Sequence, residues 1–78
     1  MMNKVFAKTS YDKDLIAYMK ANCGVHRYYL RCPKTNEEGW EDGVLSDMTI
    51  SEIVNRHGEL YIYSNLTGML FHYYTSAK

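Results

Sequence analysis

Residues 59–75 read ELYIYSNLTGMLFHYYT, and this stretch decides the fold. Residues 60–64 and 69–75 are rich in Tyr, Ile, Phe and Thr, side chains that suit a pleated, half-buried surface. Between them, Ser64 to Gly68 supplies Asn and Gly, which tolerate the positive φ of a tight turn. The spacing therefore predicts a β-hairpin. Alternation places Leu60, Ile62 and Ser64 on one side, with Tyr61 and Tyr63 on the other. In the return strand, Leu70, His72 and Tyr74 share one side, and Met69, Phe71 and Tyr73 share the opposite one. Neither side of that strand is polar. Such a strand belongs in the middle of a sheet, under cover on both sides, or in an interface.

Working outward, the chain of 78 residues is read as one domain, residues 1–78. With 46% hydrophobic and 23% charged residues it is globular in composition. Nine basic and nine acidic residues cancel, which argues against capture of duplex DNA by a broad basic face. Eight tyrosines are the main compositional deviation. Tyr combines a large apolar body with a polar tip and is enriched at interfaces. Met1-Met2-Asn3-Lys4 lacks the apolar core of a signal peptide, and no apolar run is long enough to span a membrane. A cytoplasmic location is expected, or the host cytoplasm for a viral protein. Cys23 and Cys32 flank a predicted straight strand, which would hold them too far apart for a disulfide, so free, buried thiols are expected.

Residues 3–8 read as a first strand. Thr9 or Ser10 caps a helix over 10–22, with Thr9 and Asp12 at capping-box spacing. Tyr11, Leu15, Ile16, Tyr18 and Met19 form its apolar stripe, and Gly24 stops it. Val25 to Cys32 is a strand ended by Pro33, with Tyr28, Leu30 and Cys32 on one face and Arg27, Tyr29 and Arg31 on the other. An acidic loop over 34–43 holds Trp40, and Trp40 to Leu45 reads as a short return strand. A second helix is expected to start at Thr49, with Glu52 completing a capping box, Met48 and Ile53 forming a hydrophobic staple, and Gly58 closing it. The order β-α-β-(β)-α-β-β predicts an α+β fold: a small antiparallel sheet of four to five strands with two helices on one face. Without its last strand this is the split βαβ order of ferredoxin-like domains.

One open sheet face would then display Arg27, Tyr29, Arg31, Tyr61 and Tyr63. Tyr and Arg are residues that dominate protein interfaces. Rings beside guanidinium groups also stack unpaired bases and hold phosphates. The glycine of the RNA-recognition signature is missing from Arg27-Tyr28-Tyr29-Leu30-Arg31. Trp40, among Glu37, Glu38, Glu41 and Asp42, either anchors a partner or folds back over the core. Cys23-x-x-His26 is half of a zinc motif, so neither a metal nor another cofactor is expected. Asn65-Leu66-Thr67 matches a glycosylation sequon but reads here as turn chemistry.

No nucleophile elbow or phosphate-binding loop is present. The expectation is a non-enzymatic protein-binding module or inhibitor, of the kind phages and mobile elements encode. Its contact residues would be Arg27, Tyr29, Arg31, Trp40, Tyr61 and Tyr63. Binding of single-stranded nucleic acid is the alternative. A toxin-like ribonuclease using Arg27, Arg31, His57 and a tyrosine stands behind it. Met69, Phe71 and Tyr73 are candidates for self-association into a homodimer.

Overall fold

The computed structural model describes residues 3–75. Five strands and two helices follow in the order β1 (Val5–Ser10), α1 (Lys13–Cys23), β2 (Tyr28–Cys32), β3 (Glu37–Glu41), α2 (Asp47–His57), β4 (Glu59–Ser64) and β5 (Met69–Thr75). All five strands form one antiparallel sheet in the order β1-β5-β4-β2-β3. The predicted hairpin is β4–β5, with Gly68 at φ 71° in its turn. β5, apolar on both sides, is an inner strand between β1 and β4.

Register divides the side chains between two faces. Across the first face run three rows. Phe6, Tyr74 and Glu59 form one; Lys8, His72, Tyr61, Arg31 and Glu38 form the next; Ser10, Leu70, Tyr63, Tyr29 and Trp40 form the last. The second face carries Val5, Leu60, Ile62, Tyr28, Leu30, Cys32, Met69, Phe71 and Tyr73.

The helices lie on opposite faces, which corrects the expectation of both on one. On the first face α1 packs Met19 and Cys23 against Tyr29, Tyr63 and Leu70. On the second, α2 packs Ile50 and Val54 against Leu60, Ile62 and Cys32. The physical cause is that β5 is apolar on both sides and β2 and β4 each place large apolar or aromatic side chains on both, Tyr29 and Tyr63 on one and Leu30, Leu60 and Ile62 on the other, so each face needs a cover.

The two helices also cover their faces differently. β1 and β2 are antiparallel and separated by β5 and β4. A connection between them must leave and re-enter at the same end of the sheet. Three strand spacings are about 14 Å, and the 11 residues of α1 span about 16 Å. The helix therefore lies across the strands and seals the last row, while its Tyr18 reaches Arg31 and Glu38 in the next row and Leu15, Ile16 and Tyr61 pack against the same core. β3 and β4 run parallel, with β2 between them, so α2 returns along the strands. β3-α2-β4 is thus a split βαβ unit. The ferredoxin-like arrangement stops there, because β5 enters between β1 and β4 and leaves β1-α1-β2 antiparallel.

Local boundaries shift from those expected. Asp12, not Thr9 or Ser10, caps α1, accepting a 3.0 Å hydrogen bond from the Leu15 amide. Ser46, not Thr49, caps α2; the Thr49 amide donates to its hydroxyl at 3.1 Å. That cap moves the staple to Leu45 and Ile50, which pack together in the core, while Met48 is 72% exposed. Gly58 closes α2 at φ 92°, donating to the Val54 carbonyl. β3 covers 37–41 rather than 40–45, because the turn after β2 closes early: Asn36, at φ 60°, donates to the Cys32 carbonyl at 2.8 Å. Cys23 and Cys32 are free and buried, and burial raises both thiol pKa values.

Candidate functional site

The face proposed for Arg27, Tyr29, Arg31, Tyr61 and Tyr63 exists in register, Tyr29 opposite Tyr63 and Arg31 opposite Tyr61. It is not open where the binding residues were placed. Tyr29 and Tyr63 are sealed under α1, each 2% exposed, and are core residues. The sequence could not reveal this cover, because it depends on which face α1 takes. Arg31 and Tyr61 are half-buried. Arg31 bonds Glu38 at 2.6 Å and lies over the Tyr18 ring at 5.3 Å. Arg27 stays exposed, its amide bonded to Asp42.

Trp40 does two things. Its ring lies 5.8 Å from Tyr29 and 5.5 Å from His26, and its indole N–H donates to the Asn22 carbonyl at 2.8 Å. It closes the end of the last row while keeping 54% of its surface exposed.

The other two rows hold an aromatic ladder. Tyr61 and His72 stack at 4.4 Å, His72 and Tyr74 lie 5.2 Å apart, and Phe6 stacks on Tyr74 at 5.8 Å. Lys4 and Lys8 sit over Phe6 and Tyr74. His72 bonds Glu59 at 2.8 Å. Each ring thus turns a face to another ring or to an ammonium group. Burial, reinforced by Glu59 and Asp12, holds the Tyr61 phenol above its ordinary pKa.

The second face contains the better-formed concavity. A groove of about 320 Å³ opens between the start of α2 and the β4–β5 hairpin. Met69, Phe71 and Tyr73, the residues singled out for self-association, all line it. Ile50 and Ile62 add apolar walls; Tyr28, Asp47, Ser64 and Thr67 supply the polar atoms. Burial raises the Tyr73 phenol, with Asp47 and then Tyr28 adding to the shift, and all three line the groove. The sequence missed Tyr28, Ile50 and Asp47 as site residues. The shift of the α2 start to Ser46 is what brings Ile50 and Asp47 to this rim.

The groove lies at one end of the sheet, the end that carries Ser10, Ser64, Tyr28, Glu41 and Met69. The loops at that end present exposed Tyr11, Val25, Val44, Leu66 and Met69, and Met48 projects from the first turn of α2. The other exposed large apolar residues, Phe6, Tyr18 and Trp40, are elsewhere on strands or on α1.

Among the described residues no cluster of His, Cys, Asp or Glu could hold a metal ion. No helix among them is long and apolar enough to cross a membrane. No family model matches the chain, and no match was found among the curated proteins or the solved structures.

Proposed function

We propose that this chain is a non-enzymatic protein-binding module that acts by occupying a partner's surface. The contact surface is the groove lined by Met69, Phe71 and Tyr73, at the end of the sheet whose loops expose Tyr11, Val25, Val44 and Leu66. The observation that carries the reading is the gathering of exposed apolar side chains at the one end of the sheet where this groove opens. Scattered apolar residues are ordinary on a surface, whereas several exposed at the end of a sheet where a concavity opens point to an interaction site. Met69 in the lining, with the exposed Met48 in the neighbouring first turn of α2, suits a surface that adapts to its partner. The groove is small: ligand pockets run from roughly 300 to 1,000 Å³. Side chains of another protein fit it better than a bulky cofactor does.

The alternative, single-stranded nucleic acid on the aromatic ladder of the first face, has weaker support. Base stacking needs free ring faces. Here the rings and the two lysines already use those faces on one another.

A photo-crosslinking residue at Met48, introduced in cells that produce the protein, tests the reading. The expected result is a reproducible adduct with one heterologous protein, lost when Met69→Asp alters the groove mouth. The same residue at Phe6, on the opposite face, should give none. Adducts from Phe6 alone, or from neither position, would overturn the proposal.

A further inference from the structure

Resting on that reading, we propose that the groove accepts a basic segment of the partner: an Arg or Lys side chain whose aliphatic neighbours fill the apolar floor. Among the described residues that line the groove, Asp47 is the only one charged at neutral pH, and none is a Lys or Arg. Glu41 stands on the same sheet face, directly across from Tyr28. The basic residues associated with α2 lie away from the groove. Arg56 and His57 are in its last turn, and Lys34 reaches Gly58, while the groove opens at the first turn. The chain as a whole is neutral, so this carboxylate bias is local.

The groove's chemistry divides between floor and rim. Ile50, Ile62 and Phe71 form an apolar floor, and Tyr28 and Tyr73 line the same groove as Asp47. A guanidinium or ammonium group reaching the rim meets a carboxylate and two phenolic acceptors. The methylene stem of the same side chain rests on the rings. An acidic segment would meet Asp47 with like charge and gain no cation in exchange, so the groove discriminates by repulsion as well as attraction.

Display of random twelve-residue peptides against the full chain, and against its Asp47→Lys variant, tests the partner chemistry. Peptides selected by the native chain should carry Arg or Lys beside Leu, Ile, Met or an aromatic residue. Their binding should shift the amide resonances of Ile50 and Phe71 and weaken about tenfold in Asp47→Asn. Selection against Asp47→Lys should turn toward Asp and Glu. Thermal melts of both variants establish that they remain folded. Peptides that shift Ile50 and Phe71 but bind Asp47→Asn equally well would overturn the basic-segment proposal and leave the groove as a binding site. Peptides that leave those resonances unmoved, together with no adduct from Met48, would remove both. A second copy of this chain seated in the groove, seen as concentration-dependent shifts of Ile50 and a dimeric mass, would also overturn it.

Discussion

Tyr29 on β2 and Tyr63 on β4 stand directly opposite each other, and each keeps only 2% of its surface exposed under α1. With Met19, Cys23 and Leu70 they form the core of the first face. Replacing either ring by Ala leaves a cavity under α1. The expected cost is about 3–5 kcal/mol, a large part of the roughly 5–15 kcal/mol that holds a domain together. Urea unfolding of Tyr29→Ala and Tyr63→Ala should show midpoints far below the native one. A midpoint unchanged in both would mean that α1 does not cover them.

The position of the α2 cap separates two residues that the sequence makes look alike. The Ser46 hydroxyl accepts from the Thr49 amide, whereas Thr49 itself lies inside the helix. Ser46→Ala should lower stability by about 1 kcal/mol. Thr49→Ala should cost clearly less, since it removes only a hydroxyl contact with Ser46. Equal losses, or a larger one at Thr49, would return the helix start to Thr49.

The stacked ladder of Tyr61, His72, Tyr74 and Phe6 leads to an expectation for oligonucleotides. Ring faces already engaged should not stack bases, so any binding should come from Lys4, Lys8 and Arg31. Fluorescence titration with mixed single strands should give weak binding that falls steeply with salt. Tyr61→Ala should not change it. A clear loss of affinity in Tyr61→Ala would restore the nucleic-acid reading.

Asp42 ties the loop before β2 to the end of β3. Its carboxylate bonds His26 at 2.9 Å and the Arg27 amide at 2.9 Å, and these two hydrogen bonds, the one to His26 first, lower its pKa. A folded-state pKa below the unfolded value contributes stability above the unfolded carboxylate pKa of about 3.9. That contribution is lost as pH falls through the folded value. Native protein should therefore be more stable than Asp42→Asn at neutral pH, with the gap closing as pH drops below about 4. Because Asp42 is exposed, the gap should be small and should shrink in salt. A gap that persists at pH 2 would assign the effect to shape rather than to charge.

How much of this was legible in the chain can be judged element by element. The β4–β5 hairpin, the alternation along β2 and the free thiols follow from local rules: side-chain period, turn residues and reach. Gly58 likewise announces the end of α2. The acidic β3 carries a poor strand signal. It forms where the turn at Asn36 puts it, so Glu37 and Glu38 were read as loop.

By itself, then, the sequence determined the class of fold, the order of elements and which residues share a side of each strand. Those depend on neighbours a few positions apart. Tertiary structure alone decided that β5 enters between β1 and β4, and so that β1 and β2 run in opposite directions. That pairing forces α1 across one end of the sheet, hides Tyr29 and Tyr63, and leaves α2 to wall a groove with Phe71 and Tyr73 on the far side. Two faces that both carry large apolar side chains give no local signal for which helix covers which. The choice is made by strand pairing between residues far apart in the chain.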